Sequence, residues 1–153
     1  MDEMQAAEAY ANLQSALRTY YGRGARGTLL RIGTKLWESA LSGASLGAKA
    51  QAALVRGMPK SLKRKPVLDL LAGILGTSSG DITVHTLDLD LLLVDQTSPT
   101  TLGQKDDSPI CFVTLGMIRE CLYWATREEY DIEESACRAM GAHQCEFKIT
   151  IGA

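Results

Sequence analysis

Apolar residues recur at helical spacing through the first half of the chain and at alternate positions through part of the second. From Glu3 to Tyr21, Ala7, Tyr10, Leu13, Leu17 and Tyr20 mark one stripe of an amphipathic helix. Gly22, Gly24 and Gly27 interrupt it, and Leu29, Ile32, Leu36, Trp37 and Leu41 resume a 3.6-residue pattern that predicts a second helix up to Gly43. Ser45 is placed to cap a third, Leu46 to Val55. The basic stretch Lys60 to Lys65 then links it to a fourth, Val67 to Leu75, and Thr77 to Gly80 ends the helical half.

Ile82 to Gln96 is rich in leucine and β-branched residues, with Leu87, Leu89, Leu91 and Leu93 in alternation, and reads as a long strand. Ile82 and Val84 fall on the opposite parity, which predicts a bulge or turn near His85 and Thr86 that could divide it in two. Thr97 to Asp107 is a polar loop ending in Ser108-Pro109, an N-cap followed by proline at the first helical position. The helix expected there carries two adjacent apolar stripes, Ile110, Val113, Met117, Cys121 and Trp124 beside Cys111, Leu115, Ile118 and Leu122, so it is mostly buried. Tyr130 to Ser135 and Cys145 to Ile151 predict two antiparallel strands joined through Arg138 to Gln144, with Gly141 supplying the turn. No internal repeat is visible. Residues 1–43 read as N-terminal helices and a dimerisation segment, and residues 44–153 as the body of the domain.

At 153 residues and 46% apolar side chains, the chain suits a single sizeable core. A formal net charge of −2 gives no electrostatic case for nucleic acid or an anionic membrane. Met1 to Ala11 lacks the basic and apolar regions of a signal peptide, and no apolar run approaches the roughly 20 residues needed to span a bilayer. A cytoplasmic location and no membrane span are the expectation. Four cysteines in a reducing compartment more often bind metal or do redox chemistry than pair as disulfides.

The sharpest pattern is Glu134-Ser-Ala-Cys137 followed, across a turn, by Cys145-Glu-Phe147, with Cys111 upstream at the start of the buried helix. Zinc takes four tetrahedral ligands, and three thiolates with one carboxylate satisfy its borderline-soft character. Cys111, Glu134, Cys137 and Cys145 are therefore the candidate metal ligands, stapling helix to hairpin. The set carries excess negative charge, which Arg119 or Arg138 would offset. Against this, buried cysteines often act as small hydrophobes, the reading adopted for Cys121 on its helical stripe. For the others, a metal-free core or a redox pair is the alternative. His143 is a substitute ligand or, in its turn, an exposed residue or second donor.

Other features carry less. Gly22 to Gly27 lacks the preceding strand and the Lys-Ser/Thr of a phosphate loop, so a helix break with close helix packing is preferred. Lys60, Lys63, Arg64 and Lys65 form a basic linker without aromatics. Regular alternation sets Asp88 and Asp90 opposite His85, so no acid/base pair is read there. Four protein ligands leave zinc no open position, which argues against catalysis at the metal.

Cys111, Glu134, Cys137, Gly141, Cys145 and Phe147 resemble the pattern of the 4-vinyl reductase, or hydrocarbon-binding, domain family, over about Ser108 to Ile149. In metal-binding members, such as the sensor domains of phenol- and xylene-responsive transcription activators, the resemblance implies zinc on the positions matched by Cys111, Glu134, Cys137 and Cys145. It implies an α/β (α+β) fold: an antiparallel sheet with helices packed on it, enclosing an apolar pocket, like the NO-signalling and Golgi-transport ligand-binding fold. Leu87, Leu89, Leu91, Leu93, Phe112, Leu115, Met117 and Trp124 could line that pocket or fill the core. The phenol sensors hold the ligand hydroxyl with a His and a Trp upstream of the first zinc cysteine. Here the upstream Trp is Trp37, and position 90 is aspartate, so a different ligand is implied.

Two functions follow from the resemblance. The preferred one is a zinc-containing sensor or carrier of a small hydrophobic ligand, a homodimer that acts through a regulatory protein partner. The alternative is an accessory subunit or enzyme in reduction of a tetrapyrrole (bacteriochlorophyll) vinyl group, although no nicotinamide or flavin signature supports catalysis. A scaffold role, as in small trafficking-complex subunits of similar fold, is disfavoured by the zinc cysteines.

Overall fold

A computed structural model of the chain describes residues 1–76 and 80–151, so most of the segment expected to end the helical half, Thr77 to Gly80, lies outside the described residues. Helix α1, Glu3–Tyr21, has the expected bounds. The Asp2 carboxylate accepts from the Gln5 N–H at 2.7 Å while the Gln5 side chain accepts from the Asp2 N–H at 3.0 Å, a reciprocal cap that satisfies two free donors. Gly22, at φ 56°, ends the helix in a conformation that costs other residues strain.

Helix α2, Gly24–Ser42, begins five residues before Leu29, because Ala25 extends its buried face back across Gly27 onto Val113. Helix α3, Leu46–Gly57, is capped as expected, with the Ser45 hydroxyl accepting from the Ala48 N–H at 3.1 Å. The basic stretch is only partly a linker. Lys60–Leu62 forms one 3₁₀ turn, and helix α4, Arg64–Leu75, absorbs the rest, aided by a Lys65–Asp69 pair one helical turn apart.

The long strand expected over Ile82 to Gln96 is a hairpin of β1, Ile82–Leu87, and β2, Asp90–Asp95. Its turn is Asp88-Leu89 rather than His85-Thr86, and Asp88 stands at φ 54°, a conformation that aspartate tolerates. Leu87 and Leu89 sit at this tip and are exposed, Leu89 by 76%, so they line no pocket. Helix α5, Phe112–Thr126, starts later than Ser108-Pro109 suggested. Ser108 folds back onto the Asp106 carboxylate through both its N–H and its hydroxyl, which diverts it from capping. Strands β3, Asp131–Ala136, and β4, Cys145–Thr150, fall close to their expected places, with Gly141 at φ 97° in the connection.

The sheet is antiparallel in the order β1-β2-β4-β3. Cross-strand partners share a face, so register sorts its inner face into rows. One row is Leu91, Ile149 and Ile132; the next is Leu93, Phe147 and Glu134; the last is Ile82, Asp95 and Cys145. The first row is apolar, and polar residues enter the other two toward the Cys145 end. Helices α4 and α5 pack on this sheet, and α3 packs on α4.

Helix α2 runs against α5 at very close range. A Cβ on Gly33 would fall on the Val113 carbonyl oxygen, and one on Gly116 would fall on that of Leu30. The close packing anticipated around Gly22 to Gly27 therefore occurs at Gly33 instead, since Gly24 and Gly27 have open space around them. Trp37 is buried near this crossing and meets Trp124 edge-on at 5.6 Å. Helix α1 packs on α2 and on a buried 3₁₀ turn, Pro99–Thr101, where the Gln14 amide donates to the Thr100 hydroxyl at 3.0 Å.

The crossing predicts that Gly33→Ala and Gly116→Ala each destabilise the fold by about 1–3 kcal/mol, since the added methyl forces two backbones apart. Gly73→Ala, at an α4 position with nothing within 4 Å, should instead be neutral or stabilising by up to about 1 kcal/mol. Urea unfolding of the three variants checks both signs, and equal effects at all three positions would refute the close crossing.

Candidate metal centre

Four segments meet where α5 begins. Cys111 is the residue before the first turn of α5, Glu134 lies on the inner face of β3, Cys137 follows β3, and Cys145 opens β4. A register shift between Glu134 and Ala136 bends the end of β3, and the 3₁₀ turn Arg138–Met140 brings the chain back so that Cys137 and Cys145 converge. All four side chains are buried, and one donor atom from each lies within 4.8 Å of the others.

The Cys111 Sγ stands 4.0 Å from that of Cys137 and 3.7 Å from that of Cys145. These spacings are too long for disulfides, and all three thiols are free. They match a tetrahedral thiolate cage, in which sulfurs about 2.3 Å from a central zinc stand roughly 3.8 Å apart. Glu134 completes the set. Its Oε1 accepts from the Cys111 N–H at 2.9 Å, tying β3 to the start of α5, while its Oε2 is buried with no hydrogen-bond partner. A buried carboxylate oxygen without a partner is costly, and a cation in the cage removes that cost. The four donors can hold a metal ion.

The electrostatics agree. Burial, with Cys137 beside it, pushes the Glu134 carboxyl up to about 8. Hydrogen bonds from Cys111 and Cys145 hold the Cys137 thiol well below the usual range, whereas sharing hydrogen bonds with Cys137 and Cys145, together with burial, pushes the Cys111 thiol up. Four acids in one cage cannot ionise together without a cation. The Arg138 N–H donates to the Cys145 Sγ at 3.4 Å, and the Ser98 hydroxyl lies 3.4 Å from the Cys111 Sγ. Of the two arginines proposed from sequence, Arg138 thus belongs to the centre, while Arg119 lines a separate depression with Gly27 and Tyr123.

His143 is exposed and outside the donor set. Cys121 is buried on α5, donating to the Ile118 carbonyl at 3.2 Å, and behaves as a small hydrophobe, in line with its place on the helical stripe. His85 pairs with the Thr83 hydroxyl at the sheet surface and is apart from Asp88 in the turn, so the pair does no acid/base work.

Beside the centre lies a cleft of about 700 Å³ between α1, α2, α5 and the ends of β1 and β2. Leu36, Ala40, Leu75, Ile82 and Met117 supply apolar walls, and Asp95, Thr97 and Thr114 supply polar ones. Among the pocket residues expected from sequence, only Met117 lines this cleft. Leu91, Leu93 and Leu115 fill the core, Phe112 lies under the Arg26 guanidinium, and Trp124 lies against Trp37 and under the Arg56 guanidinium. Sequence reasoning misses Asp95 and Ser98, although Asp95 continues the Leu91, Leu93 alternation onto the inner face and could have been found by its parity. Burial pushes its carboxyl above the ordinary range, against the Thr97 N–H that bonds it at 3.0 Å.

Residues 96–151, which include all four candidate ligands, match the family model of the 4-vinyl reductase domain. This is the resemblance read from the sequence, now supported over that segment. No curated protein matches the chain. Among solved structures, the chain is similar to the phenol-responsive sensory domain of the transcription activator PoxR with phenol, at a TM-score of 0.66 and 16% identity over 94% of this chain and 73% of that one. It is also similar to a trafficking protein particle complex subunit 3 from Naegleria fowleri covalently bound to palmitic acid, at a TM-score of 0.63 and 16% identity over 98% of this chain and 95% of that one. At this identity the likeness is one of fold: helices packed on an antiparallel sheet.

The cage predicts that protein purified without chelator carries about one metal ion per chain. Cys137→Ser and Cys145→Ser should lose it, and Cys121→Ser should keep it, as read by elemental analysis. Because ion binding must displace protons from Glu134 and the thiols, calorimetric loading of stripped protein at neutral pH should release protons into the buffer. Metal-free protein that takes up no ion would overturn the assignment.

Proposed function

We propose that this chain is a zinc-stapled binding domain that takes a small hydrophobic ligand in the cleft, as a sensor or carrier, and acts through a regulatory protein partner. The observation that carries the reading is the cleft itself. At about 700 Å³ it falls within the roughly 300–1,000 Å³ typical of small-molecule sites, and its walls are mainly apolar with a few convergent polar groups. The two solved structures of similar fold are described with phenol and with palmitic acid, which is consistent with a hydrophobic ligand here. A covalent thioester is not carried over, because all four cysteines are buried.

Zinc is the ion favoured by three thiolates and one carboxylate, Cys111, Cys137, Cys145 and Glu134. With every position filled by protein, the ion's role is to fix α5 against the hairpin of β3 and β4. Free thiols in this arrangement suit a reducing, cytoplasmic setting. No helix among the described residues is long and apolar enough to cross a membrane.

The N-terminal segment, residues 1–43, supports a homodimer. Helix α1 turns Tyr10 and Leu17 inward but leaves Met4, Leu13, Tyr20 and Tyr21 exposed, Leu13 by 62% and Tyr20 by 82%. A second copy of α1 would cover this stripe.

Two measurements test the reading. A native mass spectrum of protein purified from its source should retain a hydrophobic ligand, a zinc ion and two chains; protein that is ligand-free and cannot be loaded with any hydrophobic compound would end the binding proposal. Light scattering should give a dimer that Leu13→Asp with Tyr20→Asp converts to a folded, zinc-bound monomer. A wild-type monomer would end the dimer proposal alone.

A further inference from the structure

Asp95 is only 4% exposed, yet it lines the cleft. Among the described residues its one hydrogen bond is from the Thr97 N–H at 3.0 Å, which occupies Oδ1, and it makes no ion pair; Arg138 acts on it only from beyond ion-pair distance. A carboxylate has about four acceptor sites, so most of this one's capacity is unused. Burying an anion without a cation or a full set of donors is expensive, and in a folded chain such a group is usually answered by a partner. The other charged residue along the cleft is Glu3, also acidic, and no Lys, Arg or His lines it. The apolar walls, Leu36, Leu75, Ile82 and Met117, lie to the side of this acidic end.

We infer that the cleft selects a hydrophobic amine, whose alkyl or aryl body lies along Leu36, Ile82 and Met117 and whose ammonium group donates to the free side of the Asp95 carboxylate. The inference rests on the proposed ligand-binding role and names its ligand class. A cation and an N–H donor meet the buried acid at once, whereas a carboxylate-headed lipid would bring a third negative charge to Asp95 and Glu3. The acidic lining therefore rejects fatty acids as well as attracting amines.

The test uses the metal-loaded full chain at neutral pH, with octylamine, 1-octanol and octanoate titrated calorimetrically below their aggregation limits. Octylamine should bind at least about tenfold tighter than octanol, as expected for a hydrogen bond to a charged group, and octanoate weakest of the three. Asp95→Asn keeps an oxygen to accept from the Thr97 N–H; it should bring octylamine to the affinity of octanol and leave octanol unchanged. Should that variant fold poorly, added salt on the wild-type protein should weaken octylamine but not octanol. Ala40→Trp should block all three by filling the cleft. Equal affinity for the three compounds, or preference for octanoate, overturns the amine inference and leaves a hydrophobic site standing. Binding of none of them overturns both readings.

Discussion

The bond from the Cys111 N–H to the Glu134 carboxylate is the joint on which the arrangement depends. Helix α5 carries ten buried residues and lies between the sheet and α2, so its position fixes most of the core. A helix start has free N–H groups, and here one of them is answered by a side chain from β3 rather than by a local cap. That single contact sets where α5 begins, draws Cys111 into the cage, and leaves the second Glu134 oxygen facing the thiols. The chain thus spends a buried acid on positioning, and a metal ion neutralises the acid that positioning requires.

The same helix is held on its other side by sterics rather than by charge. Gly33 and Gly116 let α2 and α5 approach until backbone meets backbone, a spacing that no side chain permits. A hydrogen-bonded, charged junction at one end and a glycine contact along the side constrain α5 differently. The first resists lateral displacement of its start, and the second resists rotation, since turning α5 would bring Val113 or Leu115 against α2 where Gly116 now lies.

How much of this was legible depended on whether the determinant was local. The bounds of α1, the Ser45 cap, the β3 and β4 strands and the four clustered donors all follow from short-range spacing, and each could be read before the fold was known. What failed was decided across the chain. Ser108-Pro109 looks like a helix start, but Asp106 captures Ser108 and Glu134, 23 residues beyond Cys111, sets the true start. The run of alternating leucines crosses the hairpin turn without a break in rhythm, so parity placed Leu87 and Leu89 inside when the turn carries them out. Gly116 gave no sign of its role because a helix-crossing glycine is recognised only by the backbone opposite it. The cleft residues were missed for the same reason, as α1, α2, α5 and two strand ends must assemble before it exists.

Register then relates the metal centre to the cleft. Ile82, Asp95 and Cys145 form one cross-strand row, so the wall of the cleft and a cage donor are neighbours separated by Asp95 alone. The chain leaving that row returns at once to the cage, since Thr97 and Pro99 line the cleft while Ser98 between them touches the Cys111 sulfur. Alternation accounts for this division, because successive residues of an extended segment face opposite sides. A segment with one side on each feature cannot shift toward one without leaving the other. The cage is rigid once its four donors share an ion, and the backbone of 95–99 is therefore anchored at both Cys145 and Cys111. The polar end of the cleft is held by the metal centre, while its apolar end is built from α1, α2 and the last turn of α4, which have no such anchor.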